Sequence, residues 1–234
     1  MESLGHITAS RLFFFSKEGM DFKVWVTLRA SRVERWIRHV KKEYLDGAPI
    51  KGVGLDCEFT DALPGRRQKD LPEEQKQRAA VIQLSVATET LIFHICRADR
   101  VPKLLVDFLG DKTINFFGVA IQNDVRMLRY YGITIPSAVD LQRNCRNPTD
   151  NPTPSLYALS NDVVGTNLEM KKNKKKDNKK RDDKKRDDKK WVDDEEGEDL
   201  TRYWAAVPLS YERVVYAALD ARLGYEIARK WYLD

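Results

Sequence analysis

Two rhythms of apolar and polar positions take turns along this chain. Phe22 to Leu28 (FKVWVTL) alternates and is rich in β-formers, which predicts a strand. Val33, Trp36, Ile37, Val40 and Tyr44 then recur at helical spacing, predicting an amphipathic helix that ends near Asp46-Gly47. Ser31, with Glu34 three residues on, reads as a capping box at its start. Trp36 is expected in the core, not as a platform for a base, because large aromatics are mostly buried. The run Gly52-Val53-Gly54-Leu55-Asp56-Cys57-Glu58-Phe59-Thr60 has the length and composition of a buried strand. Ala79–Val86 and Thr90–Cys96 read as a strand pair turning about Ala87-Thr88-Glu89, with His94 an ordinary side chain of the second. Helical periodicity from Val101 to Leu109 stops at Gly110, and Thr113–Val119 (TINFFGV) is another buried strand. Asn123 is expected to cap a helix through Asp124, Val125, Met127, Leu128 and Tyr131, closed by Gly132. A short strand at Ala138–Leu141 and a loop marked by Pro148, Pro152 and Pro154 follow. Ser155 is a cap for a helix through Leu156, Leu159 and Val163, and Ser210 for a final one. That last helix carries an apolar stripe of Val214, Val215, Ala218, Leu219, Leu223 and Ile227. Strands interleaved with helices predict the α/β class, with a five- to six-stranded sheet flanked by helices.

Composition changes this picture in three places. A length of 234 residues is enough for one sizeable domain, and the first ten residues carry no pattern. Residues 1–19 are therefore expected to be a flexible terminus, since Leu12-Phe13-Phe14-Phe15 is too short for a membrane span or a signal peptide. Three cysteines, Cys57, Cys96 and Cys145, are odd in number and lack C-x-x-C spacing, which predicts a reducing compartment without a disulfide framework. A soluble protein of the nucleus or cytoplasm is the expectation.

The net charge of +5 comes from one place. Residues 171–190 carry thirteen Lys or Arg against five Asp, and removing that surplus of eight leaves the rest of the chain at −3. The block Lys-Lys-Arg-Asp-Asp occurs at 179–183 and again at 184–188, and Asp193-Asp194-Glu195-Glu196 follows. So apolar-poor a tract cannot bury enough surface to offset its ordering entropy, and 171–199 is expected to be a disordered insertion between 20–170 and 200–234. Either a nucleic-acid-attracting or nuclear-import segment, or a solvated insertion without a specific partner, fits it. The polar loop 61–78 holds Arg66 and Arg67, candidates for phosphate contacts or for simple solvation.

Candidate chemistry centres on Asp56 and Glu58. Alternation along a strand puts both on one face, with Leu55, Cys57 and Phe59 on the other. Two like charges there either stay solvated or are relieved by a hard divalent cation such as Mg²⁺ or Mn²⁺. On the last helix Tyr216 and Asp220 lie one turn apart, with Gly224 a turn further on permitting close approach. Asp124 sits in the first turn of a separate helix. If the sheet gathers these elements, four carboxylates and a phenol converge, a set suited to two divalent cations and phosphoryl transfer.

These residues resemble the DEDD (DnaQ-like) 3′–5′ exonucleases, in the branch typified by the Werner syndrome exonuclease domain. The matching motifs are Leu55-Asp56-Cys57-Glu58-Phe59, then Gly118-x5-Asp124-x3-Leu128, then Tyr216-Ala217-Ala218-Leu219-Asp220-Ala221. Val215 followed by Tyr216 looks like the tyrosine subtype, and Trp204…Pro208-Leu209-Ser210 looks like the Werner branch. The resemblance covers about residues 20–165 and 200–232 and departs at the charged insertion. It implies an RNase H-like fold and a site in which Asp56, Glu58, Asp124 and Asp220 hold two Mg²⁺ or Mn²⁺ ions. Tyr216 would align the attacking water, and Phe59 and Thr60 would meet the terminal nucleotide. The implied substrate is a single-stranded or recessed 3′ end of DNA or RNA, releasing nucleoside 5′-monophosphates. Implied associations are a RecQ-type helicase, in a repair role, or an Argonaute complex, in an RNA-clearing role. A non-catalytic nucleic-acid-binding scaffold is the alternative from a different class. Leu84, Phe117 and Met127 are read as core.

Overall fold

β3 (Lys51–Asp61) is hydrogen-bonded on both sides, antiparallel to β4 (Gln77–Val86) and parallel to β6 (Ile114–Gly118). The computed structural model describes residues 9–62, 72, 76–144, 151–169 and 203–233. Around β3 the sheet extends to seven strands with β1 (Ser10–Lys17), β2 (Met20–Thr27), β5 (Glu89–Phe93) and β7 (Ala138–Asp140). Their spatial order is β1-β2-β5-β4-β3-β6-β7, a mixed sheet of the RNase H-like α/β type. The seventh strand corrects an expectation: Ser10–Lys17 lies in the segment read as a flexible terminus, yet it pairs with β2 from Ser10↔Thr27 to Lys17↔Met20. Its run of apolar residues hides the alternation, but every second one is anchored: Phe15 meets Phe22 and Tyr211 at ring distances of 5.7 and 5.8 Å. Glu18 and Gly19, both at positive φ, make the two-residue turn that a hairpin's twist favours.

Helices cover both faces. On one side α1 (Ala30–Val40) and α2 (Lys103–Leu109) close a core containing Trp36, Leu55, Phe93, Phe108 and Phe116. On the other lies α6 (Tyr211–Ala228), over β3, β4, β5 and β6, with Val81, Ile92, Trp204 and Leu223 beneath and beside it. Trp36, Leu84, Phe117 and Met127 are buried as expected. Two caps differ from expectation. α1 begins at Ala30, one residue before Ser31, because Asp99 Oδ1, from the segment after β5, accepts the Ala30 N–H at 2.8 Å. That hydrogen bond holds the Asp99 carboxyl below its usual range. Similarly α3 (Gln122–Leu128) starts directly after a turn at Ala120 (φ 54), so Asn123 is already inside the helix and accepts from Arg126 instead of capping. Ser155 and Ser210 do cap α5 (Leu156–Val163) and α6, accepting from Ala158 N and Arg213 N. α4 (Leu141–Asn144) is a single turn.

The last helix is not the amphipathic stripe that periodicity suggests. It is buried on most sides, and its interior includes Arg213, Asp220, Arg222 and Glu226. Arg222 and Glu226 form a buried ion pair at 2.5 Å, reinforced by Arg229 at 2.8 Å from Glu226. Among the described residues no helix is long and apolar enough to cross a membrane.

Candidate active site

Gly54, Asp56 and Glu58 share the face of β3 that α6 crosses. The helix can lie close because a Cβ on Gly54 would sit 2.1 Å from Ala221 O and 2.6 Å from Tyr225 N. Gly224 completes the crossing from the helix side, at 3.9 Å from Gly54 Cα measured from an ideal Cβ. Asp220 stands one turn before Gly224, as Asp56 stands one same-face position beyond Gly54. The crossing therefore delivers Asp220 to the acids: carboxylate oxygens of Asp56, Glu58 and Asp220 all lie within 4.8 Å of one another.

Asp124 lies outside that triplet but beside it. Its carboxylate takes the Cys57 N–H and its own N–H, and burial, followed by the charge of Asp56, pushes it well above the usual carboxylate range. Asp140 adds to the same field; it is buried and braces the chain by accepting from Ala120 N at 3.3 Å and Gln142 N at 3.0 Å. Tyr216, one turn before Asp220, is half-buried with Trp204 at a ring distance of 5.8 Å. Burial, then the charges of Asp220, Glu58 and Asp56, raise its phenol far above the ordinary tyrosine value. It is therefore a neutral O–H donor at physiological pH, not a base.

Two further side chains at the site carry no signal in the sequence pattern. Tyr157 of α5 hydrogen-bonds Asp220, and its phenol too is raised by burial and then by Asp220, Asp56 and Glu58. It sits off the apolar stripe of α5, and only the packing of α5 on α6 brings it in. Gln83 is the register partner of Asp56 on β4, fully buried, with neither side-chain Nε2 nor Oε1 bonded to another group among the described residues. A buried amide without protein partners costs its desolvation, so Gln83→Leu is expected to raise the melting temperature measured without divalent metal by a few degrees, about 1 kcal/mol. A lowered melting temperature would mean that the amide is hydrogen-bonded in solution.

Phe59 and Thr60 stand beyond the acids, past a β-bulge between Glu58 and Phe59 that turns the strand's side chains toward an open trough. Arg66 and Arg67 lie outside the described residues, as does the charged tract 171–199.

The donor set fits a hard divalent cation. Three carboxylates converge, a fourth is stacked behind Asp56, and the groups facing them are neutral phenols; in this setting oxygen-only coordination suits Mg²⁺ or Mn²⁺. A mixed sheet carrying an acidic cluster fit for a cation on one of its interior strands defines a class of α/β domain found among phosphoryl-transfer proteins. The sequence profile of the 3′–5′ exonucleases matches residues 29–231, and the chain belongs to that family. No curated protein sequence matches it. Similar solved structures include E. coli RNase D, described as an exoribonuclease involved in structured RNA processing: 16% identity, 89% of this chain, 45% of that one, TM-score 0.56. The catalytic core of RRP6 from Trypanosoma brucei gives 16% identity over 86% of this chain and 44% of that one, TM-score 0.55. The EXO domain of Aedes aegypti Nibbler gives 15% identity over 88% and 85%, TM-score 0.53. At such identities these likenesses bear on the fold alone.

Proposed function

We propose that this chain is a metal-dependent 3′–5′ exonuclease of the tyrosine subtype, removing nucleoside 5′-monophosphates from single-stranded or recessed 3′ ends of DNA or RNA. The observation that carries the proposal is the convergence of Asp56, Glu58 and Asp220 within 4.8 Å beside the phenol of Tyr216. Asp56, Glu58 and Asp220 would hold one cation, and Asp124, behind Asp56, would contribute to a second. Bound Mg²⁺ or Mn²⁺ supplies Lewis-acid stabilisation of charge on the attacked phosphate and its leaving oxygen. Tyr216, kept protonated, donates its O–H toward the attacking water and orients it for in-line approach. Tyr157 fixes the rotamer of Asp220 from the opposite helix. Phe59 offers a ring to the terminal base, a contact that tolerates any sequence.

The test is a gel assay of the full chain on 5′-labelled DNA and RNA strands, with Mg²⁺, with Mn²⁺ and with EDTA. A ladder of shortened products in metal alone is the expected result, with Tyr216→Phe slowed by about 10²-fold, the scale of a lost water-orienting group. Binding without shortening would favour a scaffold and overturn the proposal. Preference for RNA fits an Argonaute-type clearing role, and preference for DNA a helicase-assisted repair role.

A further inference from the structure

Past the acids the protein opens a trough of about 590 Å³, of which the chemistry above uses only the Phe59 and Thr60 lining. One wall is the end of β3: Phe59, Thr60 and Asp61. The lining also draws on two places distant in sequence, Arg97 just after β5 and Tyr203 in the approach to α6.

Tyr203 is unlike the other aromatics of this region. It is 72% exposed, whereas the adjacent Trp204 is 1% exposed and anchors the segment in the core. Its backbone holds φ at +63, a left-handed conformation that costs a bulky residue free energy. Three contacts hold that geometry: the Ala206 N–H donates to Tyr203 O at 2.9 Å, the Arg97 Nε–H donates to Ala205 O at 2.8 Å, and the Arg213 guanidinium lies 6.0 Å from the Tyr203 ring centre. The result is an exposed aromatic ring on a fixed backbone, with the Arg213 guanidinium over one face, lining the same trough as Phe59 and Arg97. Fixed aromatic faces combined with cations that track a backbone are what binds single-stranded nucleic acid without reading its sequence.

We infer that Tyr203 and Arg97 form a second nucleotide subsite of the single strand, in which Tyr203 stacks the base next to the terminal one and Arg97 faces its phosphate. The inference rests on the exonuclease proposal for its substrate class, and it assigns the terminal nucleotide to Phe59 and Thr60 and the penultimate one to Tyr203 and Arg97. The trough is too large for one base alone.

The experiment compares full-length wild type with Tyr203→Ala and Tyr203→Phe on two substrates. One is a 5′-labelled single-stranded 12-mer; the other is the p-nitrophenyl ester of thymidine 5′-monophosphate, which fills the terminal subsite only. Tyr203→Ala should raise KM for the 12-mer about tenfold, Tyr203→Phe should restore it, and hydrolysis of the small ester should be unchanged. Equal losses on both substrates, or an unchanged KM for the 12-mer, would overturn the subsite. Anisotropy of the fluorescent 12-mer in EDTA reads binding without turnover and separates the two proposals. If wild type cleaves neither substrate, the exonuclease reading fails by itself. The subsite then stands when Tyr203→Ala binds about tenfold more weakly, and falls when it binds equally. Arg97→Gln should also flatten the salt dependence of that binding by about one counterion. A slope identical to wild type would remove Arg97 from the subsite.

Discussion

Asp220→Asn is expected to abolish strand shortening while leaving the protein folded and no less stable. Three carboxylates whose oxygens lie within 4.8 Å repel one another in the absence of cations. Removing one charge relieves that repulsion, so the melting temperature without metal should hold or rise. The same change takes away a ligand of the proposed cation site, whose stabilisation of developing charge is worth several kcal/mol; about 4 kcal/mol is about 10³-fold in rate. Thermal denaturation with and without 10 mM Mg²⁺, as an order-of-magnitude choice of concentration, gives a second readout by mass action. Wild type should be stabilised by the metal and Asp220→Asn much less. A variant that keeps both the Mg²⁺-dependent shift and full activity would sink the assignment of Asp220.

Gly54→Ala should be the most damaging single methyl group that can be added to this protein's centre. The new Cβ would lie 2.1 Å from Ala221 O and 2.6 Å from Tyr225 N, both backbone atoms of α6. A side chain can rotate aside, but a buried helix can only move as a body, away from the sheet that forms most of its environment. Overpacking commonly costs about 1–3 kcal/mol, and an obstacle made of backbone belongs at the upper end, about 3 kcal/mol. In a domain of this size that is a loss of about 6–12 °C in melting temperature. Activity should fall with it, because lifting α6 carries Asp220 away from Asp56 and Glu58. Gly224→Ala is the internal comparison: its Cβ would meet Phe117 O at 3.2 Å, a contact that small shifts relieve, so about 1 kcal/mol or less is expected. Urea denaturation midpoints of the two variants decide the matter. A Gly54→Ala protein as stable as Gly224→Ala would mean that α6 does not cross β3 where it is placed here.

The ledger of elements shows which physics can be read locally. Strand β3 and its paired acids, the β4–β5 turn at Ala87, the stop at Gly110 and the serine caps of α5 and α6 all follow from interactions within a few residues. Period-two and period-3.6 patterns report burial of one face, and a capping hydroxyl reaches only two or three residues ahead. The cap expected at Asn123 was displaced by a turn three residues earlier, at Ala120, and the one at Ser31 by a contact from a distance. Asp99 reached Ala30 across 69 positions and displaced Ser31 from the role its spacing offered. β1 carries no local signature because its apolar run masks the alternation, and its place is defined by the rings it meets, not by its own pattern.

From residue order alone came the α/β class, the pair Asp56 and Glu58 on one strand face, and Tyr216 and Asp220 one helical turn apart. Those are short-range facts, fixed by backbone geometry once strand and helix are assigned. Tertiary structure alone decided that Asp220 closes on Asp56 and Glu58 while Asp124 stands behind them against Cys57 N, and that Tyr157 and Gln83 join the site. The reason is that a contact between side chains far apart in the chain depends on where whole elements cross. Here that crossing is set by what Gly54 lacks, a Cβ, and no local period records it.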